Sequence, residues 1–273
     1  MDVKNKIIVV TGAASGIGAA CSEYLNKLGA KVIGMDRAFE DSSNPSGTWL
    51  STIQFDQGDH DSIKAVLSKL PNNIDGLLNV AGVAPSSRFS PTDVLRINFY
   101  GLRKLTLSLL PIISEGGAIV NMSSGTGAGW MSNLDMLRQW LKIENLQDVE
   151  AMVEQDIITN DGTGNTSAYP LSKQLLNVWT MQMASICRPK NLRINAVAPA
   201  AVETPIMNDF LDSFGAEAAA RLESFGSATP ESVANAAVFL LSNQSNWING
   251  ALLPVDAGAV ATGTIKKLDL SLS

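Results

Sequence analysis

The chain has 273 residues, 45% of them hydrophobic, with a formal net charge of −6 and a pI near 4.9. That length suits one large α/β domain with a full core or two small ones, and the acidic balance argues against nucleic acid or an anionic membrane as the main partner. Two cysteines, Cys21 and Cys187, and a single histidine, His60, give no ligand set for a metal and fit a reducing, cytoplasmic setting. No signal peptide precedes the first apolar run, and no run is long enough to span a bilayer.

Lys6–Thr11 is short, β-branched and apolar, which predicts a buried parallel strand. Gly12-Ala13-Ala14-Ser15-Gly16-Ile17-Gly18 follows at once, then a helix over Ala19–Leu28 closed by Gly29. Strand, glycine-rich turn and helix in that order form a pyrophosphate cradle: glycines let the backbone approach, and the helix N-terminus supplies N–H donors. Lys31–Met35 predicts the second strand, ending in Asp36. An acid about 20 residues past the glycines is placed to hold the ribose hydroxyls of NAD and to repel the 2′-phosphate of NADP, while Arg37 pulls the other way. Ala38–Leu50 has no helical period and reads as a loop. Ser51–Phe55 is the third strand, and Asp56 at its end either receives the adenine amine or caps its own loop.

His60, between Asp59 and Asp61, reads as a solvated loop residue and not as part of a hydrolase triad. A short helix over Asp61–Leu70 leads to a fourth strand, Ile74–Val80, running into Ala81-Gly82. Pro91–Leu110 predicts a long helix with Asn98 in its first half, where an Asn competes with its own backbone bonds. Gly117–Met122 is the fifth strand, and Ser123-Ser124-Gly125 breaks from its end. Asp36, Asp56, Asn79–Ala81 and Ser124 all fall at carboxyl ends of strands, the edge where open α/β sheets bind ligands.

The segment 128–166 holds one or two short helices at the spacing of Leu134, Leu137, Leu141, Val149, Met152, Val153 and Ile157, closed by a turn over 160–165. It is either a substrate-pocket wall, with Trp130, Met131, Leu134 and Trp140 as lining, or an extra packing layer or subunit contact. Ala168–Ile186 follows as a helix carrying Tyr169-x-x-x-Lys173. That spacing puts a phenol and an ammonium on one helix face, and the cation favours the phenolate, so the pair can exchange a proton with an alcohol or carbonyl. Leu192–Val197 is the sixth strand, Asn208–Glu223 a mobile helical flap, Pro230–Leu241 a helix capped by Thr229, and Ala251–Val255 the last strand. The tail from Thr262 is expected to fray, with packing along a neighbouring subunit as the alternative.

With these residues in place, the whole chain resembles the short-chain dehydrogenase/reductase family. The resemblance rests on Thr11-Gly12-x-x-x-Gly16-Ile17-Gly18, Asp36, Asn79-Val80-Ala81-Gly82, Asn98, Ser124, Tyr169-x-x-x-Lys173 and Pro199–Thr204. The missing helix after the second strand and the insertion before Tyr169 look like the branch that contains bacterial 3α-hydroxysteroid dehydrogenase/carbonyl reductase and coniferyl alcohol dehydrogenase. The resemblance implies one NAD-binding domain over 1–273, a Rossmann-like doubly wound parallel sheet of about seven strands with helices on both faces, the helical insertion over 128–166 near the substrate site and a tail over 259–273.

The same resemblance implies a catalytic set of Asn98, Ser124, Tyr169 and Lys173. Tyr169 would be the acid/base, Lys173 would lower its pKa and hold the nicotinamide ribose, Ser124 would hydrogen-bond the reacting oxygen, and Asn98 would bend its helix and hold a relay water. Gly12, Ser15, Gly16, Ile17, Gly18, Asp36, Asp56, Asn79, Ala81, Gly82, Tyr169, Lys173, Val202 and Thr204 would bind NAD. Ser124, Trp130, Met131 and Tyr169 would face the substrate. The implied activity is hydride transfer between NAD and an aromatic or alicyclic alcohol or carbonyl of the coniferyl-alcohol type, in a homodimer or homotetramer. A 3α-hydroxysteroid substrate is the alternative within the class, and a non-catalytic NAD sensor the alternative outside it. Departures are Val80 for the family's second Asn, Ala200 for Gly, Pro170 after the tyrosine and Ala257 for Gly.

Overall fold

The computed structural model describes residues 2–43, 49–84, 86–155 and 168–270. The turn expected over 160–165 and the last three residues lie outside the described residues. β1 (Ile7–Thr11), β2 (Lys31–Asp36), β4 (Ser51–Gln54), β5 (Ile74–Asn79), β6 (Ile113–Met122), β7 (Arg193–Pro199) and β8 (Leu252–Val255) form a parallel sheet, as expected of near-continuous apolar runs. A two-residue strand, β3 (Ser42–Ser43), adds antiparallel to β4 inside the stretch expected to be loop. The order is β3-β4-β2-β1-β5-β6-β7-β8. The chain winds outward from β1 on one side, returns to β5 and winds outward on the other. The crevice therefore opens at the carboxyl ends of β1 and β5.

One face is covered by α1 (Gly16–Lys27) and α9 (Pro230–Leu241), whose Leu25, Val233, Ala237 and Val238 pack on Val10, Leu78 and Val120. Thr229 caps α9 by accepting from the Ser232 amide, as its sequence predicts. The other face carries α2 (His60–Val66), the helix pair α3 (Pro91–Leu95) and α4 (Leu102–Leu109), and α7 (Ala168–Cys187), with Phe99, Leu105, Leu175 and Leu176 over Leu77 and Ile119. His60 opens α2 as an exposed residue rather than lying in a loop. A capping box between Ser90 and Asp93 starts α3.

The long helix expected over Pro91–Leu110 is interrupted. Arg96–Gly101 winds as a π-helix, and Asn98 sits inside it. The wider turn matches a side chain that bonds elsewhere: Asn98 Oδ1 accepts from the Val83 amide at 2.8 Å and Nδ2 donates to the Val83 carbonyl at 2.9 Å. The helix is thereby fastened to the segment leaving β5.

The insertion resolves into a 3₁₀ segment (Gly125–Asn133), α5 (Leu134–Leu141) and α6 (Leu146–Gln155). Leu137, Trp140 and Val149 are buried in the larger core. Tyr100 Oη donates to the Trp140 carbonyl and Arg103 to the carbonyls of Leu141 and Ile143, which satisfies the end of α5. The two helices are thus a packing layer, whereas the 3₁₀ segment before them turns toward the crevice. Two further helices close the fold: α8 (Met207–Phe225), kinked at Gly215, and α10 (Ala259–Lys267), which replaces the frayed tail expected from Thr262 onward.

Candidate active site

A cleft of about 1130 Å³ lies along the carboxyl ends of the strands. Gly12, Ser15, Gly16, Ile17, Gly18, Asp36, Asp56, Ala81, Gly82, Ser124, Met131, Tyr169, Lys173, Val202 and Thr204 all line it. Five expected residues do not. Asn79 is buried in the sheet, donating to Thr106 Oγ1 and Asn121 Oδ1 at 2.9 Å, because it shares the face of Leu77, the one that α4 covers. Asn98 is buried behind Gly82 and Val83. Trp130 packs on the larger core: successive residues of a 3₁₀ turn point about 120° apart, so Met131 and Ser132 face the cleft and Trp130 turns away. Leu134 and Trp140 likewise do not line the cleft.

The cofactor half is a cradle of backbone. A Cβ at Gly12 would stand 2.9 Å from the Ala81 backbone, and one at Gly18 would stand 2.0 Å from the Gly12 carbonyl oxygen. Only glycines let β1, α1 and the end of β5 meet this closely. Ser15 makes no side-chain cap at α1 and the first turn holds no acid, so the positive helix end and its N–H groups face the cleft. Asp36 Oδ2 accepts from the Ala14 amide at 3.1 Å and Oδ1 from the Ala38 amide at 2.9 Å, tying the glycine turn to β2. Asp56 caps its own loop through the Gly58 amide at 2.8 Å and also borders the cleft. Arg37 lies over the Phe89 ring at 5.7 Å, with Asp56 4.0 Å from its guanidinium. Thr204 brings its methyl against Gly16 and closes the cradle from the β7 side. The residues present fit a dinucleotide: backbone donors for a pyrophosphate and a carboxylate beyond them for a ribose.

The chemical half is organised by α7. Lys173 is buried and donates to the Met122 carbonyl at 2.9 Å; burial pulls its ammonium down from 10.5 to about 8. Its Nζ lies 5.4 Å from the centre of the Tyr169 ring. Burial raises the Tyr169 phenol and a hydrogen bond with Ser124 opposes that rise. Desolvation of the ring is the larger of these two effects. Burial favours the neutral phenol at Tyr169, and the hydrogen bond with Ser124 favours the phenolate.

Sequence reasoning missed the apolar wall. Phe210 meets Tyr169 edge-on at 4.8 Å and stacks on Phe214 at 5.9 Å, and both line the cleft from α8 with Met207, Leu211 and Phe225. The signal was the i, i+4 pair of phenylalanines in a stretch taken as a mobile flap. Val260 and Thr264 of α10 also line the cleft. Among the described residues no cluster of His, Cys, Asp and Glu could hold a metal.

Comparison with known proteins gives this geometry a family. A "short chain dehydrogenase" family profile matches residues 6–134, and an "Enoyl-(Acyl carrier protein) reductase" profile matches 131–260. The chain is 35% identical to a coniferyl-alcohol dehydrogenase of a Pseudomonas species, over 96% of this chain and 99% of that one. It is 29% identical to the 3-alpha-hydroxysteroid dehydrogenase/carbonyl reductase of Comamonas testosteroni, over 92% and 95%. Among solved structures, a 3-alpha-hydroxysteroid dehydrogenase from Pseudomonas sp. B-0831 complexed with NADH superposes with a TM-score of 0.78 at 27% identity, covering 95% of this chain and 99% of that one. The chain belongs to the short-chain dehydrogenase/reductase family of oxidoreductases.

Proposed function

We propose that this enzyme is an NAD-dependent alcohol dehydrogenase for an aromatic or alicyclic alcohol, with coniferyl alcohol the first substrate to try. The observation that carries the reading is the meeting of Ser124, Tyr169 and Lys173 beside the glycine cradle, under an aromatic wall, in one cleft. Gly12, Ser15–Gly18, Asp36, Val202, Thr204 and Lys173 would hold the dinucleotide, and Asp36 favours the free ribose hydroxyls of NAD over a 2′-phosphate. When bound, a nicotinamide supplies or accepts the hydride. Tyr169 carries the proton: in carbonyl reduction it protonates the developing alkoxide, and in alcohol oxidation it takes the hydroxyl proton as a phenolate. Ser124 donates to the same oxygen and stabilises its charge. Lys173 holds a positive charge close to the ring and favours the phenolate step.

A 3α-hydroxysteroid is the second reading. It is favoured by the curated relative and the solved structure that carry that name, and by a cleft with apolar walls on both α8 and α10. A cytoplasmic homodimer through Pro230–Val255 fits the insertion layer over α4, with a homotetramer as the alternative. The test is reduced-nicotinamide absorbance with NAD or NADP and a panel of aromatic alcohols and hydroxysteroids. Tyr169→Phe is expected to lower turnover by roughly 10³-fold while leaving NADH binding intact. Turnover only with NADP would overturn the Asp36 reading, and undiminished turnover in Tyr169→Phe would overturn the mechanism.

A further inference from the structure

A hydroxyl has one proton and two lone pairs. Ser124 Oγ accepts from the Thr126 amide at 3.2 Å and from Thr126 Oγ1 at 3.1 Å. With both lone pairs engaged by one residue, the single Ser124 proton is left to point away from Thr126, toward Tyr169 or toward a substrate oxygen set beside Tyr169 in its place. The short turn carrying both residues is anchored to the catalytic helix on either side. Ser123 Oγ donates to Asn177 Oδ1 at 2.6 Å, and Asn177 Nδ2 donates to the Gly127 carbonyl at 3.0 Å, all three groups being buried. Asn177 is on α7 one turn past Lys173. The distance between the Thr126–Ser124 pair and the Tyr169–Lys173 pair is therefore set by one helix.

We propose that Thr126 is a positioning residue that fixes the Ser124 hydroxyl as a donor toward the reacting oxygen, so that Thr126, Ser124 and a substrate oxygen set beside Tyr169 lie in one hydrogen-bonded row. This rests on the reading of Ser124 and Tyr169 given above. Without the Thr126 hydroxyl, Ser124 has a free lone pair, can rotate to accept a proton from its partner instead of donating, and loses the strengthening that one hydrogen bond lends the next in a chain. Thr126 also borders the cleft, but its hydroxyl is directed at Ser124.

The test compares Thr126→Val, which keeps the shape and removes the donor, with Thr126→Ser, which restores it. The assay uses intact enzyme, NAD and whichever panel alcohol the wild-type protein oxidises. Thr126→Val is expected to lower kcat about tenfold, with KM and the NADH dissociation constant within about twofold, and to move the acid limb of the pH profile upward because the phenolate loses support. Thr126→Ser is expected to return kcat to within about twofold of wild type with the original pH profile. Thermal melts and NADH binding check the fold, and Thr126→Ala replaces the valine variant if that one does not fold. Wild-type kcat and pH profile in Thr126→Val, or an equal loss in Thr126→Ser, would overturn the proposal while leaving the oxidoreductase reading intact. A wild-type enzyme silent on every alcohol with both cofactors would remove the reading beneath it and the proposal with it.

Discussion

Lys173 shows at the scale of one residue how a site and a core make opposite demands. Its ammonium is buried, with the Met122 carbonyl as its hydrogen-bond acceptor, and burial lowers its pKa from 10.5 to about 8. Between those two values the unfolded chain binds more protons than the folded one, so this group makes stability rise with pH through that window and weakens the fold most below it. Lys173→Met is therefore expected to stabilise the fold at pH 7, by on the order of 1 kcal/mol once the lost partner of the Met122 carbonyl is subtracted, and so to raise the melting temperature, while abolishing turnover. The advantage should shrink at pH 10.5. Melts of both proteins at the two pH values check it, and a lower midpoint for the variant at pH 7 would contradict the burial argument. The sequence shows that Lys173 sits one turn from Tyr169. It does not show how dry the pair is, and the dryness decides which way the phenol shifts.

At the scale of elements, the glycine turn, the strands and the Tyr/Lys helix were legible because each is local: a β-branched run, a cluster of glycines, a period of four. What escaped were features set by contacts far apart in the chain. The π-turn at Arg96–Gly101 depends on Val83, and the frayed tail is the helix α10 because it packs beside the cleft. Trp130 was expected in the substrate pocket and faces the core, since composition gives no phase for a 3₁₀ segment. A salt bridge joins Arg88, in the loop after β5, to Asp209 on α8, and both residues border the cleft. Arg88 is largely exposed, so the pair contributes less than about 1 kcal/mol. Asp209→Asn is accordingly expected to speed NADH release about two- to fivefold at low salt, with the difference vanishing at high salt. Stopped-flow fluorescence at two ionic strengths measures both, and an equal effect at both would show that the ion pair does not join the two sides.

Over the whole molecule, α5 and α6 of the insertion belong to the core. Trp140 is among the largest fully buried side chains, and the carbonyls at the end of its helix are held by Tyr100 and Arg103 on the opposing pair of helices. Removing that indole leaves a cavity where two layers meet. Trp140→Ala is expected to cost roughly 3–5 kcal/mol and to preserve a single cooperative transition. Denaturant unfolding followed by circular dichroism and by fluorescence of the remaining tryptophans checks both, and separate transitions would show that the layer unfolds independently.

The kink in α8 has a consequence for how the cleft can change. Gly215 has φ 50° and ψ −128°, a conformation open to almost no other residue, and a Cβ placed there would meet nothing within 4 Å. The half-helix before it carries Phe210 and Phe214, and the half after it carries Leu222 and Phe225 to the same cleft. The two parts of that wall are thus joined through one pair of backbone torsions, at a residue that does not itself line the cleft. A non-glycine residue at 215 is strained by the positive φ, so a substitution there is expected to shift the two parts of the wall relative to one another while every cleft-lining side chain keeps its identity.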